Sequence, residues 1–145
     1  MIVNTAYIYM GSGGAPVNPN LWQDGVSNYP VEFNNSSISS EGLKLESRGG
    51  SATFSELRLT GFNSLTISLP QGTKLFIETT ITIEFLNSAG QMLGTETVTY
   101  KAFETVNPQT VNIPSPAKTQ NAKIRITHST TLNNYIVTLS SALLS

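Results

Sequence analysis

Glu78 and Glu84 share one face of an alternating stretch, and a pair of carboxylates is the equipment of glycoside hydrolysis. Six positions at about 3.3 Å per residue put them about 20 Å apart, against the ~5–9.5 Å that such mechanisms use. They read as solvated face residues. His128 is the only histidine and Asp24 the only aspartate, with Ser129 beside His128. A Ser-His-Asp arrangement would need Asp24, or a glutamate in its place, and no Gly-x-Ser-x-Gly elbow occurs. Without cysteine, a metal site would have to be assembled from scattered glutamates, and His128 reads as a polar residue ending a strand. Gly11-Ser12-Gly13-Gly14 and Gly72-Thr73-Lys74 each lack the rest of a phosphate-cradling loop and read as turns. No enzymatic activity, metal or cofactor is expected.

Trp22, Asp24 and Tyr29, with Tyr7 and Tyr9 upstream, form the one cluster suited to ligand binding. Aromatic rings stack on the apolar faces of sugars, and a carboxylate accepts hydroxyl protons. The competing use of the same rings is to plug one open end of the fold or to bury in a subunit contact. Asn34-Asn35-Ser36-Ser37 contains the N-glycosylation acceptor pattern twice, which matters only along a eukaryotic secretory route.

The elements that must position these residues are strands. Around 74–100, Leu75, Ile77, Ile81, Ile83 and Phe85 alternate with polar residues, the period of a strand with one buried face. Asn87-Ser88-Ala89-Gly90-Gln91 then reverses the chain, Gly90 tolerating positive φ, and a threonine-rich segment to Tyr100 completes a long hairpin. Shorter alternating runs are expected near 2–10, 31–33, 43–47, 52–54, 65–69, 111–113, 122–127 and 135–139. Gly, Pro and Asn lie between them, 16–30 and 34–37 read as irregular chain, and a short helix fits 116–121. No stretch has apolar residues at helical spacing over several turns. The expected fold class is all-β, an antiparallel β-sandwich of jelly-roll-like build with a barrel as the structural alternative, in one domain spanning 1–145.

Composition narrows the partners. The formal net charge is −1 and only 12% of residues are charged, so no basic patch is present to draw nucleic acid phosphates. No apolar run approaches the ~20 residues that span a bilayer, and the N-terminus lacks the basic and continuous apolar regions of a cleaved signal, so synthesis in the cytoplasm is expected. A surface rich in Ser, Thr, Asn and Gln suits a fixed assembly or a neutral ligand better than electrostatic capture of a charged substrate.

Three segments carry a resemblance. Tyr7-Ile8-Tyr9-Met10-Gly11, followed by a glycine-rich break and Leu21-Trp22, is similar to the entry segment of small β-sandwich proteins encoded among the tail genes of long-tailed bacteriophages, where a "YLY" strand leads to an aromatic. Leu57-Arg58-Leu59-Thr60-Gly61-Phe62-Asn63-Ser64-Leu65-Thr66-Ile67 resembles the "DLTGYSTL" strand-turn-strand of phage jelly-roll modules, with Arg58 where that pattern has aspartate. The long alternating strand and Val111-Asn112-Ile113 fit the same layout. The resemblance implies a virion protein of the phage tail or baseplate, made in the host cytoplasm and related in fold to the shoulder domains of receptor-binding proteins. Its expected partners are other phage virion proteins, with a homo-oligomer as an allowed assembly. The alternative is a carbohydrate-binding module that attaches to host cell-wall glycans.

Overall fold

The computed structural model describes residues 18–145, so the strand expected over 2–10, with Tyr7 and Tyr9, and the glycine-rich stretch 11–14 lie outside the described residues. The strands are β1 (Trp22–Gln23), β2 (Val26–Ser27), β3 (Val31–Asn34), β4 (Ser36–Ser39), β5 (Gly42–Glu46), β6 (Ser51–Leu57) and β7 (Ser64–Ser68). They continue with β8 (Thr79–Asn87), β9 (Met92–Tyr100), β10 (Gln109–Asn112), β11 (Ala122–His128), β12 (Ile136–Leu139) and β13 (Ser141–Leu144). Among the described residues a 3-10 turn, Ser115–Lys118, overlaps the short helix expected over 116–121. The fold is an all-β antiparallel sandwich of jelly-roll-like build.

One layer is a five-stranded sheet in the order β3-β6-β11-β8-β9. The opposite layer is made of β10-β7-β13 and β12-β5-β4, joined because β12 and β13 are successive segments of one strand. The alternation of β8 is what makes the first layer: Ile81, Ile83 and Phe85 are fully buried, and Thr80, Thr82 and Glu84 between them stay partly exposed. β11 alternates in the same way, with Ile124 and Ile126 inward and Lys123, Arg125 and Thr127 outward. From the other layer Leu43, Leu45, Leu65, Ile67, Val137 and Leu139 meet them, which closes one core.

Several expectations are corrected. The central strand begins at Thr79, not at Lys74. Residues 70–73 close a turn, with Thr73 N donating to Pro70 O at 3.1 Å, and the chain then runs beside the segment after β9, where Phe103 N donates to Leu75 O at 2.8 Å. Ser36-Ser37 is not loop but the start of β4, paired with β5 from Ser36↔Leu45 to Ser39↔Gly42. Its serines carry no hydrophobic period, so only the pairing reveals it. Within 16–30, Asp24 (φ 54°) and Gly25 (φ 82°) form the two-residue reversal between β1 and β2. Positive φ at both positions is the signature of the hairpin turn that Asp-Gly favours.

The strand formed by β12 and β13 changes partners at Ser140. Ser141 is the register partner of Ser68, yet Ser140 N also donates to Ser68 O at 2.8 Å, so two residues face one. That bulge turns β13 toward β7 and leaves β12 paired only with β5. Gly42 sits against the same spot: a Cβ there would lie 2.1 Å from Leu139 O, at φ +129°. Gly42→Ala is expected to cost ~2 kcal/mol or more, because both the backbone conformation and the space forbid it. Gly61→Ala, at φ +91° but in open surroundings, should cost only about 1 kcal/mol, and urea unfolding of the two variants compares them.

Candidate functional site

The residues singled out for ligand binding do not form a platform. Trp22 is 3% exposed, its ring stacks on Phe54 with centroids 5.8 Å apart, and its Nε1 donates to Ser140 O at 3.2 Å. No face of the indole is free, which corrects the stacking role in favour of the plug. Tyr29 is half-buried and its hydroxyl donates to Asn18 O at 2.6 Å. Burial raises its pKa to about 12, against a smaller lowering by the Asn18 carbonyl. Asp24 is exposed in the β1–β2 turn. The three are neighbours in sequence, but Trp22 lies in the core while Asp24 stands in the exposed turn.

The remaining candidates are equally dispersed. Glu78 is exposed just before β8, and Glu84 lies on the outer face of β8, where Arg125 Nε reaches its Oε1 at 2.6 Å. Around that pair the five-stranded sheet presents a face rich in hydroxyls, of which Thr82 bonds Ser129 and Thr80 bonds Thr99. Asn34 and Asn35 form the exposed corner between β3 and β4, Asn35 at φ 49°. Among the described residues no group of three or more His, Asp or Glu is placed to hold a metal ion. No helix among them is long and apolar enough to cross a membrane.

A concave feature of the described residues lies beside the Ser140 switch. Where β7 leaves the second layer, a cleft of about 510 Å³ opens between residues 69–76 and β12. Leu69, Leu75 and Phe76 line one side, and Tyr135, Ile136 and Thr138 the other. Phe76 is 75% exposed and is steadied by an edge-to-face contact with Phe103, centroids 6.3 Å apart. Lys74 and Glu41 supply the charged groups, and Glu41 is already paired with Lys44 at 3.2 Å. On β12 the backbone itself contributes. Ser47 N donates to Tyr135 O and Val137 pairs with Leu45, so the odd positions serve the β5 ladder. Alternation then aims the N–H and C=O of Ile136 and Thr138 at the cleft. Sequence reasoning placed Phe76 on no face and read Ile136 as an ordinary strand residue. The signal available was Pro70-Gln71-Gly72, which ends the pairing of β7 early.

No family model matches the chain, and no curated protein matches it. Among solved structures, the chain is similar to an arabinose-bound GH51 α-L-arabinofuranosidase at 15% identity and a TM-score of 0.40. That match covers 82% of this chain but only 22% of the arabinofuranosidase, so the chain spans about a fifth of its length. It is also similar to the family 11 carbohydrate-binding module of Clostridium thermocellum, solved with a β-1,3-1,4-mixed-linked tetrasaccharide. There the identity is 9%, the TM-score 0.41, and the coverage 80% of this chain and 82% of the module.

His128 lies beneath the cleft. It is fully buried, its Nδ1 is 3.0 Å from Leu45 O, and its ring meets Tyr135 edge to face at 5.5 Å. The carbonyl can only accept, so Nδ1 carries the proton, and Nε2 has no partner among the described residues. Burial lowers the pKa below the usual histidine value, opposed by the Leu45 hydrogen bond. Because the folded pKa lies below the unfolded one, the unfolded chain takes the proton first as pH falls. Stability is therefore full above the unfolded value of about 6.5 and declines below it. Urea midpoints of the native protein are expected to fall between about pH 6.5 and 5, before carboxylates titrate, and His128→Leu should flatten that interval.

Proposed function

We propose that the chain is a non-catalytic glycan-binding β-sandwich that holds sugar in the cleft between residues 69–76 and β12. The observation that carries this reading is Phe76, a ring 75% exposed and in edge-to-face contact with Phe103, standing over a cleft whose other wall offers the Thr138 hydroxyl and backbone groups with no partner among the described residues. A pyranose has one apolar face and a rim of hydroxyls, and it needs a ring to stack on with donors and acceptors around it. The Trp22 cluster supplies neither, because its rings are committed to the core and to Asn18.

A second reading is docking onto other virion proteins of a phage tail or baseplate, and one observation favours it. Phe103 and Val26, 69% and 64% exposed, stand outside the lining of the cleft, and a permanent contact would cover them. Gold-labelled antibody confined to the tail tip of particles would support that reading. Unlabelled particles beside abundant free protein would count against it.

The test of the glycan reading is a panel of cell-wall polysaccharides in affinity electrophoresis, with amide shifts followed by NMR. Binding should perturb residues 69–76 and 135–138. Phe76→Ala should weaken it by about tenfold, the loss of about 1.4 kcal/mol of stacking. The urea midpoint should stay unchanged, because the ring is mostly in water. Retention that Phe76→Ala leaves intact, or no retention by any polymer, would sink the proposal.

A further inference from the structure

Resting on that reading, we infer that the glycan bound in the cleft is acidic, its carboxylate or phosphate met by Lys74 and by the open backbone edge of β12. Three observations carry the charge of the ligand. Of the two ion pairs among the described residues, Lys44–Glu41 and Arg125–Glu84, neither includes Lys74. Glu41, the carboxylate of the cleft, is already neutralised from outside it by Lys44. The ammonium of Lys74 therefore stands as the uncompensated charge of the cleft.

The second observation is the edge itself. Ile136 and Thr138 turn N–H groups, alongside their C=O groups, toward the cleft, and the N–H groups of a sheet edge can receive anionic oxygens. The third is what lies beyond. A smaller depression of about 300 Å³ begins on the far side of Tyr135 and Ile136, which line both. Arg48 stands in it, outside both ion pairs, with Nη1 donating to Asn133 Oδ1 at 2.6 Å. Glu46 is the carboxylate there. The charged groups of the two depressions and the Lys44 that pairs with Glu41 sum to three cations against two anions, a local excess of +1 on a chain of net −1. A polymer with an anion on each repeat spans Lys74 and Arg48, laying a sugar ring against Phe76 between its charges. A neutral chain leaves Lys74 without a countercharge.

Binding of the full chain to three probes separates the possibilities: polygalacturonate (carboxylate), a wall teichoic acid (phosphate) and mixed-linkage β-glucan (neutral). At least one anionic probe should bind about tenfold or more tightly than the glucan, as a hydrogen bond to a charged group implies. That preference should vanish as ionic strength rises from about 0.01 to 1 M, where the screening length shrinks from about 30 to 3 Å. Lys74→Gln and Arg48→Gln should each lower anionic binding severalfold, and by more than they lower glucan binding. Equal binding of the glucan, indifferent to Lys74→Gln, overturns the charge assignment and leaves the glycan reading standing. Failure of all three probes overturns both. Anionic binding that survives Lys74→Gln and Phe76→Ala together places the polymer elsewhere and also overturns the inference.

Discussion

The partner switch at Ser140 is the constraint on which the second layer depends. A strand can serve only two neighbours, one on each edge, and the segment from Ile136 to Leu144 serves different ones along its length. The bulge rotates the ladder by one residue, so the groups that would have continued toward β5 turn instead to β7. Two neighbours hold the bulge in place. Trp22 Nε1 takes the Ser140 carbonyl that the bulge frees, and Gly42 lets the start of β5 come within touching distance of Leu139. The burial of Trp22 is therefore a requirement of the sheet: a tryptophan turned outward to a ligand would leave that carbonyl without its donor.

The two layers are also tied by polar contacts across the core. Tyr100 hydroxyl donates to Ile67 O at 3.3 Å, and burial raises its pKa to about 12, so the phenol stays protonated and keeps donating. His128 makes the equivalent contact to Leu45 from β11. Each joins a side chain of the five-stranded sheet to a backbone carbonyl of the opposite one, fixing the relative position of sheets that dispersion alone would let slide. The histidine is the less secure tie, because its second nitrogen is buried without a partner. Tyr135 packs on that ring and also faces the cleft, so the core fault and the binding surface share one residue.

Much of the fold was legible because β8 and β11 alternate cleanly, and a two-residue period has one physical meaning when half of it is apolar. β4 was not legible, since Ser36, Ser37 and Ser39 carry no hydrophobic signal and their strand exists through its ladder with β5. The start of β8 was misplaced for a related reason. Leu75 and Ile77 keep the right parity, but Phe76 between them is apolar too, and a three-residue apolar run leaves the face undecided. The candidate site was illegible as a whole. Its two walls are more than fifty residues apart in sequence, and its donors are backbone groups that no side chain announces. Trp22 stayed open between a sugar site and a core plug because a large aromatic near an aspartate has the composition of either, and composition does not reveal that Phe54 covers the ring.

The same reasoning explains why binding is argued at a seam and not on the broad face of the five-stranded sheet. That face is wide and rich in hydroxyls, but it is flat, and the groups at its centre are already paired. Glu84 holds Arg125, whose guanidinium is kept more firmly protonated by that hydrogen bond, and Thr82 holds Ser129. A ligand there would have to break a bond for each bond it makes, and the net gain of such an exchange is small. At the seam the accounting differs. β7 departs, β12 keeps one edge without a strand partner among the described residues, and Phe76, Lys74 and that edge face the cleft of about 510 Å³. Groups satisfied only by water can be taken up by a ligand without dismantling protein contacts, so the irregularity that completes the sandwich is also the place where the molecule has interactions to spare.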